Sequence, residues 1–92
     1  MIRTFSCKHT KLLYEGSSPR QFQSIKRSAE RKLQMLDSAV TLDFLRSPPG
    51  NRLEALSGDR AGQYSIRINQ QWRLCFIWKN SDAYNVQITD YH

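Results

Sequence analysis

Three proton-transfer groups stand in consecutive positions at one end of this chain, Asp90, Tyr91 and His92. An imidazole titrates near neutrality and serves as base or acid, while a neighbouring carboxylate can orient it or act as base itself. Arg73 is the next residue that could do chemistry. It interrupts the apolar run from Trp72 to Trp78 and falls on the face opposite the aromatics. A guanidinium on a rigid strand can grip a phosphate bidentately, and can equally serve a structural carboxylate. Arg60 in a loop and Arg67 on a strand face are weaker cases of the same kind. Glu54 could supply a second acid–base group.

Other chemistries find less support. His9 and His92 are the only histidines, Cys7 and Cys75 are isolated, and no pair has metal-ligand spacing, so no metal or cofactor is expected. Gly58 and Gly62 lack the surroundings of a phosphate-binding loop, and no serine is marked as a hydrolase nucleophile. Acid–base chemistry on a polyanion remains. Metal-free RNA cleavage needs a base for the 2′-hydroxyl, cations for the charge developing on the phosphate, and an acid for the leaving oxygen.

The charge balance fits such a substrate. The chain carries a net charge of +6 and has a pI near 9.8, which attracts nucleic acid. Residues 1–50 hold nine of the fourteen Lys/Arg against four of the eight acids. With 92 residues the chain is expected to be one domain with a modest core, better suited to a surface site than to a deep cavity. It shows no signal peptide, no apolar run long enough to span a bilayer, and no sign of a disulfide framework, so a cytosolic location is expected.

The elements that must hold these residues follow from periodicity. Ile2 to Phe5 reads as a short strand, and Lys8 to Glu15 as a short helix closed by Gly16. Ser18-Pro19-Arg20-Gln21 has the form of a capping box. Behind it, Phe22, Ile25, Ala29, Leu33 and Leu36 mark a buried helical stripe with Arg20, Lys26, Arg27, Arg31 and Lys32 outside it. A helical turn is expected around Thr41 to Leu45, and Ser47-Pro48-Pro49-Gly50-Asn51 breaks regular structure. Arg52 to Leu56 could be a strand. Tyr64, Ile66 and Ile68 alternate with polar residues, Trp72 to Trp78 alternates likewise, and Gln70-Gln71 suits the turn between them. Lys79-Asn80-Ser81-Asp82 reads as a turn, and Tyr84, Val86 and Ile88 open a last strand. Trp72, Phe76, Trp78, Tyr64 and Tyr84 are expected in the core, and His9 on the surface. The result is an α+β domain, N-terminal helices packed on one face of a small antiparallel sheet that is mixed at the N-terminal strand. Read alone, the terminal triplet fits a frayed end better than a site. Tyr91, however, continues the strand pattern that begins at Tyr84.

The stretch Arg52-Leu53-Glu54-Ala55-Leu56-Ser57-Gly58-Asp59-Arg60-Ala61-Gly62, then Tyr64-Ser65-Ile66, resembles the central signature of HigB-type toxins of the RelE/ParE superfamily. Gln71-Trp72-Arg73-Leu74 and Asp90-Tyr91-His92 resemble it too, and the likeness runs over the whole chain. This resemblance implies a RelE-like fold and a ribosome-dependent endoribonuclease that cuts mRNA in the A site of the 70S ribosome. It implies a HigA-type helix-turn-helix antitoxin as partner, and operator DNA bound through the complex. The family's catalytic positions fall on Arg73, Asp90, Tyr91 and His92, with RNA contacts expected from Arg60, Arg67, Arg27 and Arg31. One departure stands out: many relatives have a His where this chain has Glu54. Either Glu54 replaces it as proton acceptor or the site leans on the C-terminal triplet. The latter is the expectation, because Asp90 and His92 already offer a base and an acid. Two rivals remain, a non-catalytic superfamily toxin aimed at a protein such as gyrase, and a plain basic nucleic-acid-binding module.

Overall fold

The computed structural model describes residues 1–90; the expectations for Tyr91 and His92 lie outside the described residues. Two helices, α1 (Lys8–Tyr14) and α2 (Lys26–Ser38), precede strands β1 (Glu54–Ala55), β2 (Gln63–Arg67), β3 (Trp72–Lys79) and β4 (Asp82–Asp90). The strands form one antiparallel sheet in the order β1-β2-β3-β4. The N-terminal segment adds parallel bridges to β4 at Ile2 and Phe5. No helix is long and apolar enough to cross a membrane among the described residues.

Local chemistry explains the helix boundaries. After α1 the N–H of Gly16 bonds to Leu13 and that of Ser17 to Leu12, with Gly16 at φ 104°. This is a Schellman closure, for which a residue without Cβ is suited. The capping box at Ser18 does not form. Pro19 is extended (φ −55°, ψ 136°), and the chain enters a 3₁₀ turn over Arg20–Ile25 before becoming α-helical. With three residues per turn, Phe22 and Ile25 stay on one face, and both are buried. Ala29, Leu33 and Leu36 continue that stripe and pack with Leu13, Ile66, Leu74, Phe76, Val86 and Ile88 as the core. Phe22 meets Trp72 edge-on, with ring centroids 5.6 Å apart.

Two irregularities set which side chains face which way. The β2–β3 loop takes three residues, Asn69 to Gln71, instead of the two of a tight Gln70-Gln71 turn. Its Asn69 Oδ1 accepts from the N–H groups of Gln71 and Trp72, both at 2.8 Å, while Ile68 N–H bonds to Trp72. Arg67 therefore pairs with Arg73 and Ile66 with Leu74. A one-residue slip would carry each side chain to the other face. In β4 an extra residue between the Ile77–Tyr84 and Cys75–Gln87 pairs makes a bulge, with Asn85 at φ 52°. The bulge keeps Ala83, Val86 and Ile88 in the core. It also turns Tyr84, expected there with Val86, to the other face, opposite Ile77. The turn at Asn80-Ser81 has both residues at positive φ, as a two-residue hairpin demands.

Candidate active site

Because β3 alternates, Leu74 and Phe76 point to the helices while Arg73, Cys75 and Ile77 point away. Register then assembles the second face. Glu54 lies opposite Ser65, Ser65 opposite Cys75 and Cys75 opposite Gln87; one step along, Arg67 lies opposite Arg73 and Arg73 opposite Thr89. Glu54, Arg67 and Arg73, named separately from the sequence, thus share one polar sheet face.

Arg73 is the anchor of this face, with a residue exposure of only 6%. Its Nε donates to Ser65 Oγ at 2.9 Å, and its Nη2 donates to the Arg52 carbonyl at 2.8 Å. Glu54 Oε1 lies 3.4 Å from Nη2. A buried guanidinium needs such partners, since an unpaired charge away from water is costly. Arg52 can offer its carbonyl because its backbone is left-handed (φ 46°, ψ 55°), at the close of the 3₁₀ turn Pro49–Asn51. Glu54 is half-exposed on the edge strand, so one side of its carboxylate meets Arg73 and the other meets solvent. The expected strand over Arg52–Leu56 is thereby reduced to Glu54–Ala55.

Arg60 joins the same face from the 3₁₀ turn Gly58–Arg60. Its Nη1 donates to Gln63 Oε1 at 3.3 Å, and the Gln87 carboxamide, with its oxygen toward Arg60, accepts at 2.8 and 3.2 Å. Ser65, Gln63, Gln87 and the Arg52 carbonyl were not singled out from the sequence. Their signal was available only through register, since each shares strand parity with Arg73 or packs beside it.

The remaining expectations fall elsewhere. Asp90 ends β4 opposite Trp72, one step past the Arg73–Thr89 pair, and its Oδ2 accepts from Gln71 Nε2 at 3.1 Å. Strand alternation therefore turns it away from the Arg73 face, at the rim of the sheet. Arg27 and Arg31 are exposed on the outer side of α2, across the core from that face. Lys26 and Lys32, grouped with them from the sequence, have partners within the fold: Lys26 meets the Ser17 carbonyl and Glu30, and Lys32 donates to Asn51 Oδ1. His9 is exposed on α1. No cluster of three or more potential metal ligands occurs among the described residues.

Chemically, the face offers a cation row that could hold a phosphate, with a solvent-accessible carboxylate touching its central member. A family model described as the RelE-like toxin of the type II toxin–antitoxin system HigB matches residues 3–92. Toxin HigB-1 of Vibrio cholerae serotype O1 is 39% identical, the match covering 96% of this chain and 95% of that one. Endoribonuclease HigB of Proteus vulgaris is 37% identical across the full length of both. Among solved structures, the fold resembles the Staphylococcus aureus YoeB-YefM complex at a TM-score of 0.61 and 18% identity, covering 100% of this chain and 98% of that one. It also resembles the Escherichia coli YafQ mutant H87Q at 0.64 and 10%, covering 98% and 93%. On the family match and the full-length relatives, this chain belongs to the HigB family of RelE-like toxins of type II toxin–antitoxin systems.

Proposed function

We propose that this toxin is an endoribonuclease that cuts mRNA in the ribosomal A site by acid–base catalysis without a metal. The observation that carries the reading is the convergence of Arg60, Arg67, Arg73 and Glu54 on one sheet face, in a chain 37% identical to a protein named Endoribonuclease HigB. Arg73 holds the scissile phosphate and stabilises the charge that develops on it. Arg60 and Arg67 grip the flanking backbone, and Arg27 and Arg31 contact ribosomal RNA from the outer side of α2.

In our reading the base is Glu54, in place of the C-terminal triplet. Glu54 touches Arg73 on the site face, whereas Asp90 is turned to the rim and held by Gln71. In this reading Glu54 takes the proton of the 2′-hydroxyl, and His92 gives one to the leaving 5′-oxygen. Asp90 supports His92, and Tyr91 orients the base or the triplet. The product is a 2′,3′-cyclic phosphate or the 3′-phosphate formed by its hydrolysis. The inhibitory partner is an antitoxin of the HigA type with a helix-turn-helix, and the pair binds operator DNA through that antitoxin.

Removing His92 tests the assignment. A chain lacking it should lose about 10²–10⁴ in the rate of mRNA cleavage on programmed ribosomes while still binding antitoxin. A truncated chain of full toxicity would exclude His92 from the chemistry. DNA damage with intact mRNA would favour a gyrase-type target instead, and salt-sensitive RNA binding without cleavage would favour a plain binding module.

A further inference from the structure

Lys32 and Asn51 form a polar pair that the proposed reaction does not use. Asn51 is fully buried, although it lies in the irregular Ser47–Asn51 segment. Its Nδ2 donates to the Leu45 carbonyl at 3.1 Å and to Met35 Sδ at 3.0 Å, and its Oδ1 accepts from Lys32 Nζ. One carboxamide therefore ties the loop after α2 to the helix itself. The next residue is Arg52, whose left-handed backbone turns its carbonyl onto Arg73 Nη2. Two residues later stands Glu54, which meets the same guanidinium.

The path from helix to site is short and continuous, running from Lys32 through Asn51 and the Arg52 carbonyl to Arg73 and Glu54. β1 cannot hold this position by itself, since it is a two-residue edge strand paired only with β2 among the described residues. The stretch from Ala39 to Asn51 that leads into Arg52 and Glu54 is anchored in the core at Ala39 and Leu45, and Asn51 is its last buried tie before the site. A misplacement of about 1 Å in a catalytic group costs on the order of 10²-fold in rate. We propose that Lys32 and Asn51 form a strut that positions Arg73 and Glu54, and that Lys32 acts through the fold and not through the RNA. Burial, and then the neighbouring Arg31, lower the Lys32 pKa, as expected of an ammonium drawn partly out of water beside another cation.

This inference rests on the endoribonuclease reading, and two readouts separate their failures. Lys32→Met keeps the aliphatic stem but removes the donor, and Lys32→Arg restores one. On ribosomes programmed with mRNA, Lys32→Met should lower kcat about 10- to 100-fold with KM unchanged, and Lys32→Arg should recover most of the loss. Because Asn51→Ala empties a fully buried position and leaves the Leu45 carbonyl unpaired, it serves only as a second variant; the Lys32 pair decides. Independently of turnover, the Arg73 Nε–H resonance should be slow to exchange in the wild type and exchange markedly faster in Lys32→Met. A rise in KM at constant kcat, with a weaker salt dependence of binding, would make Lys32 an RNA contact and overturn the strut. An unchanged Arg73 resonance in Lys32→Met would overturn it as well. A wild type that cuts no mRNA would sink the nuclease reading, while the resonance would still report on the strut.

Discussion

The two faces of β3 are both largely closed to water, yet they are closed by different means. On one, Leu74 and Phe76 pack against α1 and α2 and hold the domain together by apolar burial. On the other, Ser65, Arg73 and Cys75 are covered where polar groups satisfy one another: Arg73 with Ser65, Arg52 and Glu54, and Arg60 with Gln63 and Gln87. Burial against apolar side chains yields stability in proportion to area, whereas burial of paired charges adds little net stability. The first face is therefore a core, and the second is a pre-arranged polar surface that serves as the site in the function proposed above. In that reading function depends on strand parity, which the Asn69–Gln71 loop and the Asn85 bulge set.

Variants on the two faces should separate cleanly. Phe76→Ala, in the middle of the core, should lose about 3–5 kcal/mol of stability, read as a shifted urea midpoint, and little of the protein should remain folded at growth temperature. Ser65→Ala removes the acceptor from Arg73 Nε beneath the site. Turnover should fall about tenfold while stability falls by only about 0.5–1.5 kcal/mol. A loss of stability as large as that of Phe76→Ala would erase the distinction between the faces. Gln87→Leu releases Arg60 from one of its acceptors, and KM for programmed ribosomes should rise about two- to threefold, in line with one weakened surface contact.

The smallest effect lies outside both faces, at the N-terminal edge of the sheet. The Arg3 guanidinium hydrogen-bonded to Asp82, together with the Met1 amino group, holds the Asp82 carboxyl below its usual value of 3.8. A depressed folded-state pKa gives stability that is present above the unfolded value and is lost as pH falls through the folded one. Asp82→Asn should therefore lower the urea midpoint slightly at pH 6, and the difference should shrink as pH falls below 3.8 and through the lower folded-state value. Cleavage at neutral pH should be unaffected.

Much of this fold was legible because periodicity reports burial directly. The Phe22-to-Leu36 stripe, the Gly16 closure and the alternation of Trp72 to Trp78 each reflect a local rule. Arg73 stood out for the same reason, as a charge in an apolar alternation. The partners of Arg73 did not, because Ser65 becomes a neighbour only through the register of β2 on β3, and the loop that sets this register differs by one residue from a tight turn. Glu54 was visible as a possible acid–base group and as a departure from the family pattern, but its contact with Arg73 required the sheet. Lys32 looked like its basic neighbours on α2 until Asn51, nineteen residues and a proline-rich turn away, proved to be its partner. The Ser18 capping box failed for a purely local reason, since an extended Pro19 begins the helix one residue too late.

The central claim is that Arg73 on the polar face grips the phosphate that is cut. The direct test is the rate of mRNA cleavage on programmed ribosomes by the wild type and by Arg73→Gln, with melting temperature and antitoxin binding measured on the same preparations. The account predicts that Arg73→Gln cuts about 10²–10³-fold more slowly, melts within a few degrees of the wild type and still binds antitoxin. Cleavage by Arg73→Gln at the wild-type rate, with the fold intact, would contradict it.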